Sequence, residues 1–188
     1  LIEFIRILSS LHATVSSLRS KSQVKGPIRE VKTEIRVMGL WAAFVRRGYT
    51  EFIGVVFRGS LYIDGVLRRR IRNWDGEAIK RLAKSIRASP HFGQLRVIII
   101  QDSPEMRKAN IEAESLHELT GLPVIALSED AMVFRAYGLD SSTASNILRR
   151  TQGPEGLPEA LKVAKIFAEA MVACRTREKA QKRSTQAG

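Results

Sequence analysis

Residues 34–71 read EIRVMGLWAAFVRRGYTEFIGVVFRGSLYIDGVLRRRI, and the fold turns on how this stretch divides. Residues 34–41 alternate and are rich in β-branched side chains, which predicts a first strand. Residues 51–58 (EFIGVVFR) predict a second strand and residues 61–71 (LYIDGVLRRRI) a third. Gly59-Ser60, between the last two, is a short hairpin signal. Three strands in succession with short connections predict a meander.

Downstream the pattern changes. Residues 75–88 place Ile79, Leu82, Ala83 and Ile86 on one helical face, with Lys80, Arg81, Lys84 and Arg87 around the others. Ser89-Pro90 stops that helix. Residues 95–100 (LRVIII) form the continuous apolar run of a strand buried on both faces. A helix over 109–119 closes at Gly121, and a second buried strand follows at 122–127 (LPVIAL). A last helix spans 157–175, with Leu161, Ala164, Ile166, Phe167, Ala170 and Met171 on its apolar side. The order of three strands, helix, strand, helix, strand, helix predicts an α/β fold. It is a mixed five-stranded sheet with helices on both faces, the ribonuclease-H-like arrangement.

This domain is expected to occupy residues 31–175. Residues 1–30 read as an accessory N-terminal helix and linker, because Ile5, Leu8, Leu11, Val15 and Leu18 recur at spacings of three or four. Glu3 and Arg6 interrupt the apolar run and no clean cleavage site follows, which argues against a targeting peptide. Residues 176–188 have no apolar stripe and read as a basic flexible tail.

Composition bounds the function. Across 188 residues, 44% hydrophobic and 27% charged content excludes wholesale disorder. No apolar run reaches the roughly 18–20 residues of a membrane span, so no membrane role and a cytoplasmic location are expected. The one cysteine, Cys174, cannot form an internal disulfide and reads as a small core residue. His12, His91 and His117 have no zinc-ligand spacing. A net charge of +12 favours a polyanionic partner, nucleic acid first, with an acidic protein or membrane surface second. A generally basic proteome, as in some archaea, is the plainer account of the same charge.

Nucleases on ribonuclease-H-like sheets hold divalent cations between carboxylates on neighbouring strand ends. The first strand offers none: Met38-Gly39-Leu40-Trp41-Ala42-Ala43 is wholly uncharged. Asp64 lies in the third strand beside Gly65, where it also suits a bend. Asp75 and Glu77 open a helix, where acidic residues are favoured on dipole grounds alone. Asp102 follows the first buried strand, at the carboxyl end where α/β sites gather, and equally suits a turn. Arg46, Arg47, Arg58, Arg68, Arg69, Arg70 and Arg72 cluster on the meander, with Trp41, Tyr49, Phe57, Tyr62 and Trp74 as stacking faces. A solvated sheet face over core aromatics is the competing reading. There is no Walker-type phosphate loop and no nucleophile elbow.

Several segments together resemble the archaeal endonuclease dU family, a distant relative of endonuclease V. They are Arg36-Val37-Met38-Gly39, Gly54-Val55-Val56-Phe57-Arg58-Gly59, Ile63-Asp64-Gly65-Val66-Leu67, Gln94-Leu95-Arg96-Val97-Ile98 and Thr120-Gly121-Leu122-Pro123-Val124-Ile125. The resemblance covers about half the chain, from near Arg36 to Ala126, and its segments keep the family's order. It implies a ribonuclease-H-like fold and, for active members, metal-dependent cleavage of DNA at deaminated bases such as deoxyuridine. The departures lie at the site. Leu40-Trp41-Ala42 stands where the family has an Ile-Asp-Asp-like segment, and Gln101 stands at the aspartate after the buried strand. Asp102 substitutes there only by a one-residue shift, while Glu77 keeps an acidic position.

The expected function is therefore nucleic-acid binding, DNA ahead of RNA, with catalysis lost and no cofactor. The alternative is a working endonuclease, with Asp64, Glu77 and Asp102 holding one Mg²⁺ or Mn²⁺ and Glu77 and Asp102 serving catalysis. A third reading is an interaction protein whose residues 2–18 pack on another subunit.

Overall fold

The computed structural model describes residues 28, 30–45, 48–131 and 133–186. Three strands come first: β1 (Arg36–Val45), β2 (Tyr49–Arg58) and β3 (Tyr62–Arg72). After them run α1 (Ala78–Arg87), β4 (Val97–Gln101), α2 (Pro104–Lys108) and α3 (Ala113–Thr120). The chain continues through β5 (Val124–Leu127), β6 (Phe134–Tyr137), α4 (Ser141–Thr151) and α5 (Glu159–Gln186). One sheet holds all six strands in the order β3-β2-β1-β4-β5-β6. The meander β1-β2-β3 and the β5-β6 pair are antiparallel; β1-β4 and β4-β5 are parallel.

The mixed sheet with helices on both faces follows the sequence expectation, but it has six strands rather than five. β6 is only four residues, FRAY, and pattern cannot separate so short a run from a loop; its pairing with β5 makes it a strand. Helix α4 was also not legible as an element. It starts at Asp140, whose Oδ1 accepts the Thr143 N–H at 2.8 Å. The residues expected to be a flexible tail are helical as far as Gln186, since no glycine or proline interrupts α5. Cys174 is exposed rather than part of the core. The expected accessory helix and linker cover residues 1–30, of which 1–27 and 29 lie outside the described residues. Among the described residues no helix is long and apolar enough to cross a membrane.

Strand alternation divides the interior into two cores. Met38, Leu40, Ala42, Phe52, Val56, Ile98 and Ile100 point to the face covered by α1, α2 and α3, where Leu82, Ile86, Met106 and Leu116 meet them. Val37, Ala43, Ile53, Val55, Val97 and Ile99 point to the other face, covered by α4 and α5. There α5 presents Ala160, Ala164 and Ala168, small residues four apart that let its backbone approach the strands. The approach is closest at Gly39. A Cβ on that glycine would lie 2.2 Å from the Ala160 carbonyl carbon and 2.3 Å from the Leu161 nitrogen. Gly39→Val is therefore expected to destabilise by about 3 kcal/mol or to prevent folding, as overpacking against backbone does. Urea unfolding checks this, and a variant as stable as the parent would refute the tight contact.

Candidate nucleic-acid interface

The meander ends in a groove. Tyr49 and Arg72 are register partners at the end of the sheet where β1 finishes, and the Gly48 turn lies beside them. Gly48, Tyr49, Arg69, Arg70, Arg72, Trp74, Asp75 and Arg81 line an open cavity of about 810 Å³. Arg70 lies over the Tyr49 ring, 4.4 Å from its centroid. Below, Thr50 Oγ1 donates to Asn73 Oδ1 at 2.7 Å, and the Asn73 N–H donates to the Gly48 carbonyl at 2.7 Å. Both side chains are buried, so Asn73 anchors the end of β3 and the chain must turn immediately after it.

That turn puts Trp74 at φ +62°, a conformation that bulky side chains rarely adopt. Its side chain is 80% exposed. Nothing in the hydrophobic cores uses this ring, and backbone strain of this kind collects at functional sites. Asp75 then accepts the Glu77 N–H at 3.0 Å and pairs with Arg81 at 3.4 Å, starting α1 at the groove edge.

The arginine cluster, continuous in sequence, is sorted by the sheet. Arg58 is taken up internally: with Arg36 it clamps Asp64, Nη2 to Oδ1 at 2.8 Å and Arg36 Nε to Oδ2 at 2.8 Å. These bonds tie β1, β2 and β3 together at the far end of the sheet from the groove. Arg68 pairs with Glu51 on β2. Glu51 is 1% exposed, a buried carboxylate that sequence reading passed over. The signal was present, because residues 51, 53, 55 and 57 share one face and the other three are apolar. The ion pairs among the described residues take up Arg36, Arg58 and Arg68 but not Arg69 or Arg72. Arg46 and Arg47 lie outside the described residues. Of the aromatics, Phe57 is buried in the core. Trp41 is half-buried against the α5 side, with Lys165 Nζ 5.3 Å from its ring centroid. Tyr62 is exposed but opens β3, the strand end opposite the groove.

The expected metal ligands are not brought together. Asp64 sits level with Arg36, whereas β1-β4 register puts Asp102 beyond Leu40 and Ile100, about 20 Å further along by strand rise. Asp102 accepts Arg107 Nη1 at 2.7 Å, and the same guanidinium holds Glu129 at 2.7 Å. Glu77 accepts Lys80 Nζ at 2.8 Å. Among the described residues no three His, Cys, Asp or Glu side chains converge to hold a metal ion. These residues do not fit the divalent ion that the alternative reading requires.

No family model matches the chain. A UPF0215 protein of Methanothermobacter thermautotrophicus is 35% identical over 102 residues, 53% of this chain and 50% of that relative. The chain thus spans about half that relative's length in the match. A Thermococcus kodakarensis UPF0215 protein is 27% identical over 77% of this chain and 96% of its own. Among solved structures, a protein of unknown function from Archaeoglobus fulgidus superposes with a TM-score of 0.65 at 17% identity, covering 73% of this chain and 98% of its own. Ciona intestinalis endonuclease V, in complex with a 24-mer DNA containing an inosine followed by a ribo-adenosine, gives 0.58 at 10% identity, covering 89% and 98%. The fold is endonuclease V-like. It is the ribonuclease-H-like fold expected from the order of elements.

The Asp64 clamp has a pH signature. Hydrogen bonds from Arg58, then Arg36, hold its carboxyl below the usual carboxylate range despite partial burial. The folded state thus favours the charged form, and the stabilisation is full above about pH 4 and lost as acid protonates the group. Asp64→Asn is expected to lower the urea midpoint at neutral pH, with the gap to the parent closing as the pH falls below the usual carboxylate range. A gap constant with pH would assign the effect to packing alone.

Proposed function

We propose that this chain is a nucleic-acid-binding protein of the endonuclease dU or endonuclease V-like type, DNA ahead of RNA, that has lost metal-dependent cleavage. The observation that carries this reading is the groove at the end of the meander. Four arginines, Arg69, Arg70, Arg72 and Arg81, surround an exposed tryptophan held in a strained conformation. Guanidinium groups suit phosphates and a flat aromatic face suits a base, so the two together suit a nucleic-acid strand better than a protein or lipid surface. The +12 net charge adds long-range attraction for a polyanion. The proposed biological setting is recognition of DNA at deaminated bases, as in repair, without its own strand cleavage.

Loss of cleavage is supported by Trp41 and Ala42 on β1 and by Gln101 on β4, none of which is a carboxylate. Gln101 instead donates to the Ser128 and Glu129 carbonyls, and Asp102 is held by Arg107. Purified protein with Mg²⁺ or Mn²⁺ is expected to shift an end-labelled, deoxyuridine-containing DNA on a gel without nicking it, an EDTA control being identical. Metal-dependent nicking that disappears in Glu77→Ala would replace this reading with the active-endonuclease one.

Trp74 separates binding from folding. Trp74→Gly is expected to weaken DNA binding by about 1–3 kcal/mol, the usual worth of one stacked base. Its unfolding midpoint is expected to stay level or rise, because glycine adopts φ near +60° without steric cost. Fluorescence anisotropy and urea titration on the same preparation check both; unchanged affinity would remove Trp74 from the interface.

A further inference from the structure

Four of the eight large hydrophobic side chains that stand exposed among the described residues belong to one short stretch. They are Leu61, Tyr62, Ile63 and Val66, between 49% and 74% exposed. A cluster of this kind marks an interaction surface, whereas apolar residues scattered singly do not. A bulge aligns part of it. The register of β2 with β3 shifts between Val56 and Phe57, so Ile63 lies opposite Phe57 and Val66 opposite Val55. Phe57 and Val55 belong to the core under α4 and α5, so Ile63 and Val66 face that same side although they are three apart. Helix α5 packs chiefly on β1 and β2, which leaves the lane over β3 open there.

The strand itself is also open. β3 closes the sheet order, so no strand among the described residues pairs with its outer edge. Edge strands are ordinarily protected by charged side chains. β3 follows that rule from Arg68 to Arg72 and departs from it before Arg68. Between Leu61 and Leu67 the one charged residue is Asp64, and Arg36 and Arg58 already hold its carboxylate. The bulge at Asp64 interrupts the ladder. Gly65-Val66-Leu67 is therefore the part of the edge that is both regular and uncharged.

We propose that this edge is a self-association surface, on which β3 pairs antiparallel with β3 of a second copy across a two-fold axis near Val66. The charge pattern selects this occupant. A polyanion or an acidic chain is drawn to the arginine half and gains nothing at the apolar half. A second copy meets apolar side chains with the same apolar side chains, as a two-fold contact does. Val66 faces Val66 across the axis, and Ile63 of each copy flanks the pair on the open lane. The antiparallel arrangement also carries the two arginine runs to opposite ends. By strand rise Arg70 of one copy stands about 26 Å from Arg70 of the other, well beyond the ~8 Å screening length at physiological salt. A parallel pairing would set those arginines side by side. The dimer joins two six-stranded sheets into one and does not depend on what the groove binds.

The test is the mass of the full chain in solution, by light scattering over a dilution series reaching about 200 µM. Twice the chain mass, falling on dilution, is expected; a monomer throughout overturns the proposal. Each copy carries +12, so rising salt is expected to tighten the dimer. A dimer that dissolves as salt rises is bridged by a bound polyanion, and the proposal falls. Val66→Lys and Val66→Glu each oppose like charges across the axis and are each expected to weaken the dimer about tenfold. Mixing the two variants opposes lysine to glutamate and is expected to restore it. Urea midpoints near the parent's are expected, because Val66 is exposed. A dimer unmoved by either substitution, or weakened by both and not rescued on mixing, overturns the contact. Val66→Cys with Cys174→Ser gives an independent reading. Oxidation is expected to link two copies by a disulfide, since opposed strand residues bring their Cα atoms to about 5 Å. Ile166→Cys in the same background, exposed on α5, is expected to stay unlinked. Equal linking of both variants would show random collision and overturn the two-fold at Val66.

Discussion

The contact between Gly39 and the first turn of α5 is the constraint on which the rest of the molecule depends. With no side chain at that point, helix backbone lies directly on strand backbone. The alanines at 160, 164 and 168 are buried in the same core, which small residues close on the helix side. Close packing permits little rotation of such a pair.

Electrostatics act differently at the two ends of the meander. At one end Asp64 absorbs Arg36 and Arg58, and within the sheet the buried Glu51 absorbs Arg68. Each pair crosses between strands, so each also fixes register: a slip of one residue would turn Arg68 to the opposite face and strand a buried carboxylate. At the other end Arg69, Arg70 and Arg72 surround the groove, with Arg70 resting on Tyr49 rather than on an acid. A run of arginines that looks uniform as text is therefore part scaffold and part surface.

At the carboxyl end of β4, where sheets of this architecture gather their chemistry, Asp102 and Arg107 line an open cavity of about 400 Å³ together with Ser128, Phe134 and Tyr137. Asp102, Arg107 and Glu129 form one ion-pair chain, and Gln101 is bonded to the loop carbonyls after β5. A guanidinium supplies the counter-charge that a cation would supply between carboxylates.

The sequence by itself determined the class of fold, because the meander, the two apolar runs and the amphipathic helices each carry a periodicity that local chemistry imposes. It also determined which first-strand positions lack carboxylates, since that is a matter of residue identity. It did not disclose β6, a run of only four residues, or the helical continuation of α5, whose polar sequence resembles a loose tail. Nor did it tell which arginines were available. Asp64 looked like a metal ligand until the sheet set it between two guanidiniums, about 20 Å along the strands from Asp102. Trp74 looked like any aromatic until buried Asn73 forced it into the left-handed region and out to solvent. Only tertiary structure decided these, because ion pairing and exposure depend on which strands lie side by side, and register is a property of pairs of segments rather than of either one.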